Sequence, residues 1–174
     1  AIAESSLYGF FNFIIEQGCC PDGRQARQHN PFQERADLVK LKNPLLAVRD
    51  MERSKTFYRE VLGLHVVMDF GANVTLTGGL CLQTLDTWTD FLGKEAEEIR
   101  FGANDSEVYF EEDDFDGFLA HLVGCADVVY VRPPLEHRWG QRVVRLYDPD
   151  RHIIEVGENM KSVCRRFRDQ GMTP

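Results

Sequence analysis

Two glutamates interrupt apolar strand patterns. Glu107 leads into Val108-Tyr109-Phe110, and Glu155 follows Ile153-Ile154. A carboxylate taken out of water is costly enough that it is normally paired, hydrogen-bonded, metal-bound or protonated. Each therefore asks for a partner, and the chemistry on offer is ligation of a hard cation or general-base duty toward a bound carbonyl compound. The plain alternative is that strand alternation turns one or both of them to water. A second group, His137, Trp139 and Gln141, falls in the stretch from Pro133 to Gln141 between two strand patterns. An imidazole, an indole and an amide on a long connection can furnish the rim or lid of a small-molecule pocket. The bland reading has Trp139 covering one end of the sheet and His137 in solvent. Arg142 and Arg145 alternate with Val143, Val144 and Leu146, so one can face inward as an anion clamp or a charge partner for Glu155, against surface placement of both. His65, His121 and His152 lie in strand or helix patterns and read as structural.

The elements that must carry these side chains begin at Leu41. Leu45, Leu46 and Val48 predict a strand; Asp50 then opens a helix through Arg53, Phe57, Tyr58, Val61 and Leu62, ended by Gly63. Three strands are predicted next, His65–Phe70, Val74–Thr77 and Leu80–Thr84, broken at Gly71 and at Gly78-Gly79. A polar, acidic connection containing Trp88 and Phe91 leads to Ser106. The order then recurs: a strand over Val108–Phe110, a helix opened by Asp113-Asp114 and carrying Phe115, Phe118, Leu119 and Leu122, and a strand over Val128–Val131. Two more strands, Val143–Tyr147 and His152–Val156, flank the turn-forming Asp148-Pro149-Asp150-Arg151. Asn43 precedes Asp50 by the same interval that separates Glu107 from Asp114, with Phe57 and Phe118 deeper in the respective helices. The recurrence of all five elements in one order marks an internal repeat.

Outside the repeat, residues 159–174 carry a predicted C-terminal helix from Asn159 to Asp169, and residues 1–38 differ in character. An amphipathic helix is expected from about Ser6 to Gln17, followed by a turn over Gly18–Gly23 and a polar arm that either links or docks on its own domain or a partner.

Composition removes several classes. A formal charge of −8 over 174 residues offers no basic face for phosphate backbones, so nucleic acid is not an expected partner, and the basic runs at 24–27 and 161–168 read as solvated faces. Five cysteines (Cys19, Cys20, Cys81, Cys125, Cys164) without CxxC spacing read as reduced thiols, with Cys125 and Cys164 filling core space. The apolar run Leu7–Ile15 is broken by Gly9 and Asn12, too short to span a bilayer, and lacks the flanks of a secretory signal. A cytoplasmic chain with no membrane partner is the expectation.

The stretch Val48-Arg49-Asp50 with Ser54, Phe57-Tyr58 and Leu62-Gly63-Leu64 resembles the first module of glyoxalase and bleomycin-resistance proteins. Tyr147-Asp148-Pro149-Asp150 with His152-Ile153-Ile154-Glu155 resembles the close of the second, so the chain resembles the vicinal oxygen chelate superfamily over about residues 40–158. The resemblance implies an α+β fold of two βαβββ modules, about 40–85 and 106–158, forming an eight-stranded cup-like barrel, here with an extra N-terminal and C-terminal helix.

Metal-dependent members hold a divalent ion by inward side chains from the first and last strands of each module. Those positions fall at Asn43, at Cys81 or nearby Gln83, at Glu107 and at Glu155. Asn43 stands where such relatives generally have a histidine, and His137 is a candidate to replace it as ligand or base. An oxygen-rich set suits magnesium or manganese, recruitment of Cys81 tilts toward zinc, and nickel completes the implied metals.

With Glu107 and Glu155 as catalytic groups, and Trp139, Gln141, Arg145, Cys81 and Trp88 as substrate contacts, the implied activity is metal-assisted proton transfer on a vicinal-oxygen substrate, of lyase or isomerase type. The alternative is a metal-free protein that sequesters a drug or other small molecule among Trp88, Trp139 and Phe110, and a third reading is a partner-binding module using the N-terminal helix. A homodimer is expected from the family's habit of pairing subunits.

Overall fold

A computed structural model describes residues 40–171 of the chain. The chain divides into a unit Ala1–Leu41 and a unit Lys42–Pro174. In the first unit Lys40 and Leu41 are exposed and without regular structure; the helix expected at 6–17 and the arm that follows lie outside the described residues.

The second unit contains both halves of the repeat. The first half runs β1 (Leu45–Val48), α1 (Met51–Leu62), β2 (Val66–Asp69), β3 (Asn73–Leu76) and β4 (Cys81–Thr84). Local chemistry sets the helix ends. The Asp50 side chain accepts from the Arg53 backbone N–H, and Gly63, at φ 67°, turns left-handed so that its N–H reaches the Arg59 carbonyl. Between these ends Ser54, Tyr58 and Val61 recur at helical spacing and form the buried stripe.

The second half repeats the order with β5 (Glu107–Glu112), α3 (Phe115–Gly124), β6 (Val129–Glu136), β7 (Arg142–Tyr147) and β8 (Ile153–Glu158), followed by α4 (Met160–Asp169). Asp114 caps α3 by accepting from the Gly117 N–H, and Asn159 caps α4 by accepting from the Lys161 N–H.

Two stretches differ from expectation. The connection after β4 begins with a helix, α2 (Leu85–Leu92). Leu85, Trp88, Phe91 and Leu92 stand at helical spacing, a pattern masked by the acidic residues between them. The long connection expected around His137 is a tight turn, because β6 continues through Pro133 and Pro134 to Glu136. Two prolines are tolerated there because β6 is an edge strand and its register slips between Arg132 and Leu135.

The eight strands form two four-stranded sheets of identical connectivity, β1-β4-β3-β2 and β5-β8-β7-β6. The first pair in each is parallel and the rest antiparallel. No backbone ladder joins the sheets among the described residues, so the expected eight-stranded cup is present as two walls, not as a closed barrel. One core unites them. Val48, Tyr58, Leu76 and Leu82 of the first half cluster with Phe115, Leu122, Leu146 and Ile154 of the second.

Polar clamps reinforce the union. Tyr58 donates its hydroxyl to Asp148 at 2.9 Å, and Arg49 and Arg53 both bind the fully buried Asp150. His121 Nε2 donates to the Glu60 carbonyl at 2.7 Å, satisfying an acceptor in the last turn of α1. Among the described residues no helix is long and apolar enough to cross a membrane.

Candidate functional site

Strand alternation sorts the chemistry of the second sheet onto one face. On β5, Val108 and Phe110 pack toward the core while Glu107, Tyr109 and Glu111 take the other face. On β8 the core residues Ile154 and Val156 bracket Glu155, and on β7 Val144 and Leu146 bracket Arg145. Register then aligns three strands: Tyr109 is opposite Glu155, and Glu155 is opposite Arg145.

Arg145 gathers both glutamates. Its Nε donates to Glu107 Oε2 at 2.9 Å, and its Nη2 forms an ion pair with Glu155 Oε2, which accepts from no other donor among the described residues. The two carboxylates differ in environment, with side-chain exposures of 7% for Glu155 and 39% for Glu107. Burial raises the Glu155 carboxyl above its ordinary pKa, Arg145 opposes this, and the negative charge of Glu107 adds to it.

Beside the pair, Gln141 donates one amide hydrogen to the Tyr109 hydroxyl at 2.7 Å and another to the Glu158 carbonyl at 2.9 Å. Its own oxygen accepts from the Trp139 indole at 3.2 Å. The cluster depends on Gly157: a Cβ there would lie 2.9 Å from Gln141 Nε2 and 3.0 Å from the Tyr109 ring, so only glycine lets both lie over β8. Tyr109 donates to Glu111, and burial is the main cause raising its phenol well above the ordinary value, which keeps it protonated.

His137 stacks on Trp139 with ring centroids 4.1 Å apart and planes 11° from parallel. Burial, then Arg145 and Arg132, lower the imidazole pKa, with Glu107 opposing, so the ring is neutral at pH 7.

Second-half residues singled out in the sequence, Glu107, Glu155, Arg145, Gln141, Trp139 and His137, are thus brought to one neighbourhood. The first-half candidates lie on the first sheet and its connections. Asn43 is exposed before β1, Trp88 is half-buried on α2, and Cys81 is buried with its sulfur 3.4 Å from Thr75 Oγ1. Gln83, the other first-half candidate, is equally committed: its oxygen accepts from Asn73 at 2.7 Å and its amide donates to Thr87.

Tyr109 was missed by sequence reasoning, although its place two residues after Glu107 in a strand was the available signal. A cavity of about 830 Å³ between α1 and α3, lined by Phe57, Val61, His121 and Cys125 among others, contains none of these residues.

The donors do not fit the divalent ion that the sequence resemblance implies. The two carboxylates already share a guanidinium, and Gln83 and Cys81 are engaged by Asn73, Thr87 and Thr75. No group of three or more His, Cys, Asp or Glu among the described residues is arranged to hold a metal ion.

Comparison with known proteins places these observations. The family described as Glyoxalase-like domain matches residues 41–161. A crystal structure of a protein of unknown function from Agrobacterium tumefaciens strain C58 is 35% identical, with a TM-score of 0.62 over 70% of this chain and 94% of that one. A glyoxalase/bleomycin resistance protein/dioxygenase from Nocardioides shares the fold at 18% identity and TM-score 0.58, covering 73% of this chain and 89% of its own. Lactoylglutathione lyase from Agrobacterium tumefaciens shares it at 24% identity and TM-score 0.54, covering 70% and 95%. No curated protein matches the chain.

Proposed function

The chain belongs to the glyoxalase-like domain family of the vicinal oxygen chelate superfamily, and from that premise we propose that it is a small-molecule enzyme that moves a proton on a carbonyl compound, with Glu155 as the base. The observation that carries this reading is a buried carboxylate of raised pKa on the face of the second sheet opposite the core, next to a fixed cation. A base poised nearer neutrality is the feature that proton abstraction beside a carbonyl requires. Arg145 Nη1 forms no hydrogen bond among the described residues, so its N–H groups can hold the carbonyl oxygen as negative charge develops there. On an α-hydroxy carbonyl compound the C–H proton passes to Glu155 and the bonding pair moves toward the carbonyl oxygen to give an enediolate; return of the proton to the former carbonyl carbon, with the hydroxyl proton passing to the other oxygen, completes an isomerisation.

A panel of α-hydroxy and α-keto carbonyl compounds in D₂O, followed by proton NMR, tests the reading. Wild type is expected to wash deuterium into the carbon next to the carbonyl of at least one compound, and Glu155→Gln to lose this by about a hundredfold or more. Equal behaviour of the two proteins across the panel would remove Glu155 from the role.

The stacked His137–Trp139 pair supports a second reading, sequestration of a planar or cationic molecule against an aromatic shelf on an acidic chain. Saturable quenching of Trp fluorescence by a cationic glycopeptide without turnover would favour it, and a flat titration would discard it.

A further inference from the structure

We propose that Arg145 is the built-in cation of this site: it occupies the point between Glu107 and Glu155 that a divalent ion would need, and excludes one. The proposal rests on the same second-half site as the functional reading but does not depend on proton transfer taking place there.

Two carboxylates on one sheet face repel and must be neutralised, more so when one of them is buried. Arg145 does this from the strand next to Glu155. Its Nε reaches Glu107 and its Nη2 reaches Glu155, with the guanidinium side chain itself 23% exposed. Arginine stays protonated at any ordinary pH and cannot yield its place by losing charge, as a lysine or histidine could.

A divalent ion entering between the glutamates would have to displace a guanidinium that sheet register points at them, since Arg145 is directly opposite Glu155. Among the first-half candidates, the Gln83 and Cys81 polar atoms are already held by Asn73, Thr87 and Thr75. The charge that other carboxylate sites obtain from a metal is here supplied covalently by the chain.

Calorimetric titration of the chelator-treated full chain with Mn²⁺ and Zn²⁺ tests this. Wild type and Arg145→Lys, which keeps a cation in place, are expected to bind neither ion stoichiometrically. Arg145→Met uncovers two facing carboxylates and should bind Mn²⁺ at least about tenfold more tightly than wild type. Stoichiometric binding by wild type overturns the proposal, and so does absence of any gain in Arg145→Met.

If Arg145→Met does not fold by circular dichroism, Mn²⁺ is titrated into ¹⁵N-labelled wild type. The Arg145 Nε–H resonance should stay sharp, and its selective broadening at substoichiometric Mn²⁺ overturns the proposal. Because the readout is metal binding, a failed deuterium-exchange assay leaves this result untouched.

Discussion

Arg145 on β7 and Glu155 on β8 are direct partners across an antiparallel ladder, and the guanidinium supplies the one ion pair of Glu155 Oε2 among the described residues. The pair sits on a face whose reverse side is the hydrophobic core, formed there by Val144, Leu146, Ile154 and Val156.

Removing one partner should therefore cost more than removing both. Arg145→Met alone leaves a buried carboxylate uncompensated and is expected to destabilise by about 3 kcal/mol, Glu155→Met alone leaves the guanidinium with Glu107 only, and the double variant should lie within about 1 kcal/mol of wild type. Urea unfolding of the two single variants and the double variant measures the coupling directly.

Asp148 is the hinge between the halves of the repeat, accepting from the Tyr58 hydroxyl, His152 Nδ1 and the backbone N–H groups of Asp150 and His152 at 2.8–2.9 Å. Burial, reinforced by Asp148, holds the Tyr58 phenol well above its ordinary pKa, so it remains a donor. Tyr58→Phe leaves the other three donors in place and should cost about 1–2 kcal/mol; Asp148→Ala strands all four and should cost about 3 kcal/mol or more. Thermal unfolding of the two variants should rank them in that order.

Gly157→Ala is expected to disturb the site more than the fold. The new methyl meets Gln141 Nε2 and the Tyr109 ring, so the buried amide must shift and disturb its bonds to the Tyr109 hydroxyl and the Glu158 carbonyl. Stability should fall by about 1 kcal/mol, while affinity for any ligand held beside Tyr109 and Glu155 should drop roughly tenfold. Fluorescence titration alongside urea unfolding separates the two effects.

The Glu158 carboxylate, 7% exposed, anchors α4 through Arg166 and also pairs with Arg142 on β7. Burial acts to raise its pKa, but the two arginines outweigh burial and hold it below the ordinary 4.5. A carboxylate depressed in the folded state stabilises at pH values above the unfolded pKa, and that contribution disappears as pH falls through the lower folded value. The Tm difference between wild type and Glu158→Gln should accordingly be full at neutral pH and shrink below about pH 4.5. A difference that persists unchanged into acid would show that the anchoring is not ionic.

Much of the architecture was legible because it depends on near neighbours. Helical spacing of Phe57, Tyr58 and Val61, the caps at Asp50 and Asp114, and the glycine stop at Gly63 are all encoded within a few residues of where they act. The same locality explains one miss. The apolar spacing of α2 was present but diluted by Asp86, Thr87, Thr89 and Asp90, so composition argued against a helix that periodicity favoured. The extent of β6 was hidden for a different reason, since Pro133 and Pro134 read as a break unless the strand is known to be at an edge.

The sequence by itself determined that Glu107, Glu155 and Arg145 are strand residues of the second half, and that charged side chains so placed would need partners. Tertiary structure alone decided which partners they obtained. Glu107 and Arg145 are 38 residues apart in the chain, and they meet because β8 pairs with β5 on one side and β7 on the other, in a register that turns all three side chains to one face. A shift of one residue in either ladder would send a carboxylate into the core, so burial of Ile154, Val156, Val144 and Leu146 fixes the ionic cluster on the reverse side. Asn43 and Cys81 belong to the first half, whose sheet shares a core with the second sheet but is separated from it in backbone hydrogen bonding. Residue spacing carries no information about that separation.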